Sequence, residues 1–568
     1  MAFRIGIDVG GTFTDIVCMS DDGQVITGKT LSTHQEITNG IITGLGQLEN
    51  VDFELVNYVS HATTVACNAV ITNRGCKTAM ITTKGFEDML EMRRGQRMVS
   101  DPTKMYDVQL DLPQGYRGGY DPLVERLHRY GVTERIGPRG DVVKPLDEDE
   151  LKAIIETIKA GGFEGVCVCY LNCFANPVHE QRTKALIHEL APELCVSISS
   201  EILPVIREYN RLSTTMCNAY IQPLVKRYMT RLQNRIHDTG INTTAYIMQS
   251  NGGIISAEMA GEYPINILES GPSAGVIAVS KLGQQMGMNK VIAFDMGGTT
   301  AKACAIVNGI PEITKEFWVD EKYFVGVPII NLVEVGAGGG SIAWIDKGGA
   351  LKVGPQSAGS EPGPVCYDRG GEQPTVTDCN MILGYLNPDY FLGGKMKINE
   401  AKAKEALDEL VCKRFGIGVA EAAMGVHNLS NVKMMSAIRV ATLHRGHDPR
   451  DFTLFATGGA GPAHACRMAQ EMEIPMVVIP PNPGTYSAQG LLVADAQFDA
   501  FRSYMTTADK VNWQVLRDIY SDLEGTVRAP LRELGFTDEE IQLRYIMDMR
   551  YCGQSHEVEV DLGGPVTC

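Results

Sequence analysis

Phe3-Arg-Ile-Gly-Ile-Asp8-Val-Gly10-Gly11-Thr12-Phe-Thr14-Asp15 opens the chain, and Val291-Ile-Ala-Phe-Asp295-Met-Gly297-Gly298-Thr299-Thr300-Ala-Lys302 repeats its pattern in the second half. Each copy reads as an apolar run, then Asp-x-Gly-Gly-Thr, then a second apolar run, at 16–19 and at 303–307. Apolar residues on both sides of a Gly-Gly turn predict a β-hairpin, not a strand entering a helix. The glycines let backbone N–H groups approach a phosphate closely, and the threonine hydroxyls add donors. An Asp at each turn entrance can hold a hydrated divalent cation between phosphate oxygens. The repeat period is far too long for a solenoid. It predicts two related halves of one body, with the hairpins clamping a nucleotide from both sides.

A chain of 568 residues is too long for one ordinary domain, and its 44% hydrophobic content supplies large cores. The 60 glycines gather in short loops beside apolar runs, the habit of α/β loops. A formal net charge of −17 argues against non-specific nucleic-acid binding, which draws on clustered Lys and Arg, so any phosphate site must be local. No run approaches the ~18 apolar residues of a membrane span. The start enters a strand without a signal-peptide pattern. We expect a cytoplasmic protein with no membrane partner, its 15 cysteines reduced. Cys167, Cys169 and Cys173 form the one cluster. The first two share a face of a predicted strand at 165–171. Lacking a Cys-x-x-Cys pair, the cluster reads as buried thiols before a metal site.

The alternation of patterns is α/β throughout. A third strand is expected at 24–30, a helix at 39–48, and a strand from Tyr58 that turns at Thr63-Thr64 into a helix. Further helices are expected at 147–160, 176–190, 211–237 (interrupted by Pro223), 419–444 (stopped by Gly446), 463–472 and 513–534, with strands at 77–82, 245–248, 451–457 and within 542–562. Residues 93–118 are rich in Arg, Asp, Pro, Gly and Met and carry no period, as long functional loops do. The expected division is 1–195, 196–497 and 498–568. The last part is an α+β domain that stops after a strand signal, and so is expected to be incomplete or small.

A third nucleotide element, Gly458-Gly459-Ala460-Gly461-Pro462, joins a strand to a helix N-terminus and can cradle a ribose or phosphate. The two hairpins followed by this turn resemble the superfamily of actin, sugar kinases and heat-shock ATPases. That resemblance implies two RNase-H-like α/β lobes around a cleft holding ATP and Mg²⁺ (or Mn²⁺). A narrower resemblance runs through His61-Ala-Thr-Thr-Val-Ala-Cys-Asn, Ser200-Glu-Ile-Leu-Pro, Arg207-Glu-Tyr, Gln249-Ser-Asn-Gly-Gly, Ser270-Gly-Pro, Val335-Gly-Ala-Gly-Gly-Gly-Ser-Ile-Ala, Pro362-Gly-Pro-Val-Cys-Tyr, Pro374-Thr-Val-Thr-Asp, Arg445-Gly-His-Asp-Pro-Arg and Gly458-Gly-Ala-Gly-Pro. These segments look like the hydantoinase A/5-oxoprolinase family, which includes ATP-dependent hydantoinase and lactamase subunits and the ATP-using subunits of acetone and acetophenone carboxylases.

The family resemblance implies activation of a carbonyl. An unstrained cyclic amide resists hydrolysis because resonance deactivates its carbonyl carbon. Moving the γ-phosphoryl of ATP to its oxygen makes an imidate phosphate and a good electrophile, a transfer that needs mainly positioning and charge neutralisation. Asp8 and Asp295 are expected to orient the metal. Gly10, Gly11, Thr12, Thr14, Gly297, Gly298, Thr299 and Thr300 are expected to hold phosphates, and Gly458, Gly459, Ala460 and Gly461 the adenosine. Asp15 either assists or caps its turn. Lys302 reaches a phosphate or is a solvated lysine. Thr63, Thr64 and Asn68 offer substrate contacts or cap a helix. Arg93, Arg94 and Arg97 anchor substrate or form a charged face. Glu334, Gly339 and Ser341 lie along a glycine loop that offers oxyanion donors or packs closely against other backbone. Asp378 is catalytic or a helix cap. His61, His444, His447 and His464 have no metal-ligand spacing.

The first functional expectation is the A-subunit of an ATP-dependent cyclic-amide hydrolase, working in a hetero-oligomer with a hydantoinase B-like subunit. The second is the corresponding subunit of a ketone carboxylase. The third is an ATP-switched binding protein without catalysis.

Overall fold

The computed structural model describes residues 2–566 apart from 12, 34–35, 93–121, 321, 392–393 and 395. Thr12, Arg93, Arg94 and Arg97 therefore lie outside the described residues.

Both expected hairpins form, by the same local means. Strand Phe3–Val9 buries Ile5, Ile7 and Val9 and pairs with Phe13–Ser20, Val9 standing opposite Thr14. The Gly10 N–H donates to the Phe13 carbonyl at 3.0 Å and closes a four-residue turn. Strand Lys290–Met296 pairs with Ala301–Val307, and there the Gly297 N–H donates to the Thr300 carbonyl at 3.1 Å. The sequence repeat is thus a repeat of backbone geometry.

Each hairpin seeds a sheet of the same topology. In the first, Val25–Leu31, Phe13–Ser20 and Phe3–Val9 run as an antiparallel meander, Val56–Thr63 lies parallel to Phe3–Val9, and Ala245–Met248 follows in parallel before the edge strand Ile254–Ser256. In the second, Ile310–Pro311, Ala301–Val307 and Lys290–Met296 are antiparallel, and Thr453–Thr457 and Met476–Val478 continue in parallel. An antiparallel meander of three strands extended by two parallel ones is the RNase-H-like arrangement, so the chain has the two-lobed α/β fold expected. The division expected near residue 195 coincides with the start of strand Cys195–Ile198, and the first sheet takes strands from both sides of it.

Lobe one carries an all-parallel sheet of its own, in the order Cys195–Ile198, Gly165–Cys169, Thr78–Thr83 and Arg129–Val132. Within Gly165–Cys169 the residues alternate between two cores. Cys167 and Cys169 face the long helix Glu208–His237, while Val166 and Val168 face the helices Glu148–Ala160 and Val178–Leu190. The shared cysteine face is as expected. Its thiols are buried, and no His, Cys, Asp and Glu grouping suited to a metal exists among the described residues.

The lobes are joined where backbones touch. Helix Ser270–Gln285 packs on the first sheet and on Lys290–Met296 of the second, and short helix Tyr486–Gly490 lies across it and against Phe3–Val9. Glycines allow the approach. A Cβ at Gly275 would stand 2.9 Å from Ser487 Oγ, and one at Gly490 would collide with the Ala274 carbonyl. Beyond the lobes, helix Trp513–Glu533 and the hairpin Ile546–Met549 with Val558–Asp561 form the expected α+β extension. Arg207 to Glu557 and Lys315 to Asp548 and Glu559 tie it back.

These contacts set opposite signs for two glycine substitutions. Gly490→Ala is expected to cost about 3 kcal/mol of unfolding free energy by overpacking. Gly525→Ala, inside helix Trp513–Glu533 with nothing near its added methyl, is expected to stabilise by about 0.5–1 kcal/mol. Denaturant titration of both variants measures the difference.

Candidate functional site

Register aligns charged residues in a file across each sheet, and neighbours in register present side chains on one face. In lobe one the file is Ala62, Asp8, Asp15, Lys29. In lobe two it is Thr457, Asp295, Lys302, Glu334. Both files sit one pair behind the phosphate turns, and they face one another. Burial pushes the Asp8 carboxyl up to about 7, with Asp15 and Asp295 adding repulsion against the pull of Lys29 and Lys302. Burial likewise raises Asp295, where Lys302 and the Thr457 hydroxyl oppose it. Carboxylates that destabilise one another in a cleft are relieved by a cation, which is the chemical fit for a metal carried between phosphates.

The turns leave donors for such a ligand. Gly11, Gly298 and Thr299 are exposed, and among the described residues no acceptor lies within reach of the Gly298 and Thr299 N–H groups. Thr300 is half-buried beside them. Thr14 corrects its expectation. It is fully buried, its hydroxyl meets Ser32 Oγ at 3.2 Å, and Ser32 donates to the Gly10 carbonyl at 2.8 Å, so Thr14 braces the turn from behind.

The third element also arrives. Gly458 has φ +81°, and a Cβ there would collide with the Met296 carbonyl and lie 2.7 Å from Asp295 Oδ1. Ala460 N–H donates to the same Met296 carbonyl at 3.0 Å, and helix Gly461–Glu471 starts next. The Gly458–Gly461 turn is therefore pinned to the strand that carries Asp295, while Gly459 faces open space.

Asp15 neither caps a turn nor stands free. Its carboxylate pairs with Lys29, whose Nζ also donates to the Gly484 carbonyl at 3.2 Å. Lys302 is not solvated. It lies between Glu269 Oε2 at 3.0 Å and Glu334 Oε2 at 3.2 Å. Burial disfavours its ammonium, but Glu269 and Glu334 outweigh that and hold its pKa above the ordinary lysine value. Lys29 and Glu269 were not anticipated. The visible signals were a basic residue facing Asp15 in the next strand, and an acid directly before the Ser270-Gly271-Pro272 helix start. That helix start also abuts Asp8, since a Cβ at Gly271 would be 2.8 Å from Asp8 Oδ1.

Thr63 and Thr64 sit where strand Val56–Thr63 enters helix Val65–Ile71. Thr63 is bound through its backbone, its N–H donating to Ser270 Oγ at 2.9 Å and its carbonyl accepting from that hydroxyl at 2.8 Å. Thr64 is the N-cap residue without a side-chain cap bond; instead its hydroxyl accepts from Asn68 Nδ2 at 3.1 Å. Asn68 is exposed.

Of its two readings, the glycine loop takes the close-packing one. The N–H groups of its second half are committed: Gly338 to Ser341 Oγ at 2.8 Å, Gly339 to the Gly297 carbonyl at 3.0 Å, Gly340 to the Gly298 carbonyl at 2.6 Å and Ser341 to the Gly338 carbonyl at 3.0 Å. A Cβ at Gly338 would reach 2.5 Å from Thr299. The loop packs against the second phosphate turn and holds it, as close backbone packing requires. Asp378 is a structural cap, fully buried and accepting from the N–H groups of Val365 at 3.2 Å, Cys366 at 2.7 Å and Thr375 at 2.8 Å.

Two of the named histidines are held by neighbouring protein groups. His61 lies between the Ile7 carbonyl at 3.0 Å and Tyr228 Oη at 2.9 Å. His464 stacks on His427 at 4.2 Å and is bridged to it by Asn380.

Comparison with known proteins agrees along the whole chain. Residues 4–191 match the Hydantoinase/oxoprolinase N-terminal region, 211–500 match Hydantoinase/oxoprolinase, and 505–565 match the Hydantoinase/oxoprolinase C-terminal domain. Caprolactamase subunit alpha of Pseudomonas jessenii is 36% identical, over 99% of this chain and 80% of that protein. Acetophenone carboxylase gamma subunit of Aromatoleum aromaticum is 32% identical, over 97% and 77%. The crystal structure of the ATP-dependent caprolactamase from P. jessenii superposes with a TM-score of 0.86 at 35% identity, covering 98% of this chain and 81% of that one. Nucleotide-free acetone carboxylase gives 0.78 at 27% identity, covering 99% and 81%.

Two outcomes are expected. Gly458→Ala displaces the adenosine turn and lowers ATP affinity by about tenfold or more in calorimetric titration with magnesium, a loss of ~1.4 kcal/mol. Burial lowers the pKa of His61 to about 4 and of His464 to about 3, so both are neutral in the native protein, while the unfolded chain protonates them below ~6.5. Their stabilisation is complete above that pH and is lost as pH falls. Together the two histidines should lower unfolding free energy by about 3–4 kcal/mol between pH 7 and pH 5. Asp8, raised by burial to about 7, takes a proton over the same range and offsets about 2 kcal/mol of that. The histidine share is therefore read from urea midpoints in an Asp8→Asn background.

Proposed function

This chain belongs to the hydantoinase/oxoprolinase family, and from that premise we propose that it is the ATP-using subunit of a cyclic-amide hydrolase. It phosphorylates the oxygen of a lactam or hydantoin-type ring, and a hydantoinase B-like subunit completes the ring opening. The observation that carries this reading is the pair of facing charge files, Asp8-Asp15-Lys29 and Asp295-Lys302-Glu334, each behind a glycine turn.

In this reading Gly10 and Gly297 close the two turns, the exposed turn backbone at Gly11, Gly298 and Thr299, with Thr300 beside it, takes the phosphates, and the turn from Gly458 to Gly461 takes the adenosine. Asp8 and Asp295 would hold a magnesium ion, which supplies charge neutralisation for phosphoryl transfer. The amide oxygen attacks the γ-phosphorus as the bond to the bridging oxygen breaks and ADP leaves. Thr64, Asn68 and Glu334 line the approach for the ring. The relative named ATP-dependent caprolactamase supports the amide class.

The second reading is the matching subunit of a ketone carboxylase, favoured by the likeness to the acetophenone carboxylase gamma subunit. ADP release separates the two. Lactams or hydantoins are expected to accelerate it, and Asp295→Asn to lower the stimulated rate by about 10²-fold or more. Stimulation confined to ketone with bicarbonate would replace the first reading with the second.

A further inference from the structure

Phosphorylating the oxygen of a secondary amide is a proton problem as well as a phosphoryl problem. The product imidate has a C=N bond in place of N–H, so one proton must leave the nitrogen. Water is a weak acceptor for it, and a positioned carboxylate is a strong one.

Most carboxylates near the cleft are already committed. Asp15 is paired with Lys29. Asp8 and Asp295 face each other behind the phosphate turns, and Asp295 Oδ1 accepts from Thr457 Oγ1 at 3.3 Å. Glu269 has both oxygens engaged, Oε1 with Cys67 Sγ at 3.5 Å and Oε2 with Lys302 Nζ at 3.0 Å.

Glu334 differs. Its strand, Val333–Val335, pairs with Ala301–Val307 so that Glu334 stands across from Lys302, itself across from Asp295. It therefore projects on the face that carries Asp295. Its Oε2 lies 3.2 Å from Lys302 Nζ and its side chain is 46% exposed. Its Oε1 has no partner among the described residues. The loop that follows uses its own N–H groups to brace the second phosphate turn, so the carboxylate is the chemical group this segment offers to a substrate.

We propose that Glu334 is the base that takes the N–H proton of the cyclic amide as its oxygen is phosphorylated, with Lys302 and Glu269 as positioning residues that fix its carboxylate; the assignment rests on the cyclic-amide reading above. The N–H bond breaks and its electron pair becomes the C=N π bond. The carbonyl π pair moves to oxygen, which forms the O–P bond. The bond from the γ-phosphorus to the bridging oxygen breaks, and ADP departs with that pair. Protonated Glu334, ADP and the imidate phosphate are the products, and the electron count closes without another reactant.

The test measures ADP release by the full chain with δ-valerolactam, with ε-caprolactam, with their N-methyl derivatives, and with acetone plus bicarbonate. Glu334→Gln is expected to lower the lactam-stimulated kcat by about 10²- to 10⁴-fold while ATP affinity and the KM for ATP stay near wild type. Glu334→Asp should keep part of the activity, and Glu269→Gln should reduce kcat less than Glu334→Gln does. The N-methyl lactams, having no proton to give, should not stimulate the wild type. This comparison needs no variant and tests the need for an N–H proton. Where Glu334→Gln does not fold, Glu334→Asp tests the residue itself, and full stimulated activity there with unaltered pH dependence would overturn the assignment. Wild-type stimulation by N-methyl lactams equal to that by the parents, or full stimulated activity in Glu334→Gln, would overturn the assignment. A wild type that answers only to acetone with bicarbonate would overturn the cyclic-amide reading. Glu334 would then be judged on that substrate, whose α-C–H proton it would take, and undiminished activity of Glu334→Gln there would remove it. A wild type stimulated by neither class overturns both.

Discussion

Like charges gathered between two lobes are the constraint around which this molecule is organised. Burial raises the carboxyls of Asp8, Asp15 and Asp295, Asp15 and Asp295 add to the effect on Asp8 and Asp15 to that on Asp295, and Lys29 and Lys302 pull the other way. The crossing of helix Ser270–Gln285 with Tyr486–Gly490 joins the lobes, through contacts that only glycine permits. The helix start at Gly271 meets Asp8 directly, so the joint between lobes and the floor of the cleft are one piece of structure. A divalent cation suits this arrangement because it supplies positive charge where the carboxylates converge.

The lobes repeat one design with one change. Both place an Asp one pair before a four-residue glycine turn, and both put a charged residue opposite it. In lobe one that residue is Asp15, neutralised by Lys29 on the next strand. In lobe two it is Lys302, held by Glu334 on the next strand and by Glu269 from the other lobe. The exchange of sign makes the files complementary across the cleft, and it leaves Glu334 as the more open member of its ion pair. Backbone supports the rest. The second turn rests on the loop from Gly338 to Ser341, and the Gly458–Gly461 turn hangs from the Met296 carbonyl.

Much of this was legible in the chain. The hairpins, the strand-turn-helix at Gly458 and the helix stop at Gly446 follow from residues a few positions apart, whose conformational preferences act locally. The readings that failed were those in which a side chain had a remote partner. Thr14 looked like a phosphate donor, yet alternation along its strand turns it inward to Ser32. The glycine loop offered oxyanion donors or close packing from sequence, and only its distant neighbours, the Gly297 and Gly298 carbonyls that take the Gly339 and Gly340 N–H groups, favour the packing. Helix Glu208–His237 shows a further limit. Its polar Asn218, Gln222 and Arg211 are buried because Ser197, Glu262 and the Tyr170 carbonyl stand ready to bond them, and no periodicity in the helix announces that.

The chain by itself determined the two clasping turns, their carboxylates and the α/β lobes that carry them, because turn chemistry and strand alternation are settled within a few residues. Tertiary structure alone decided which charges meet. Lys302 acquires Glu269 from the opposite lobe, Lys29 reaches the Gly484 carbonyl, and Asp8 comes to rest against Gly271. The physical reason is that register and helix crossing, set by packing over hundreds of residues, choose the neighbours of a charge, and those neighbours settle what the charge can do.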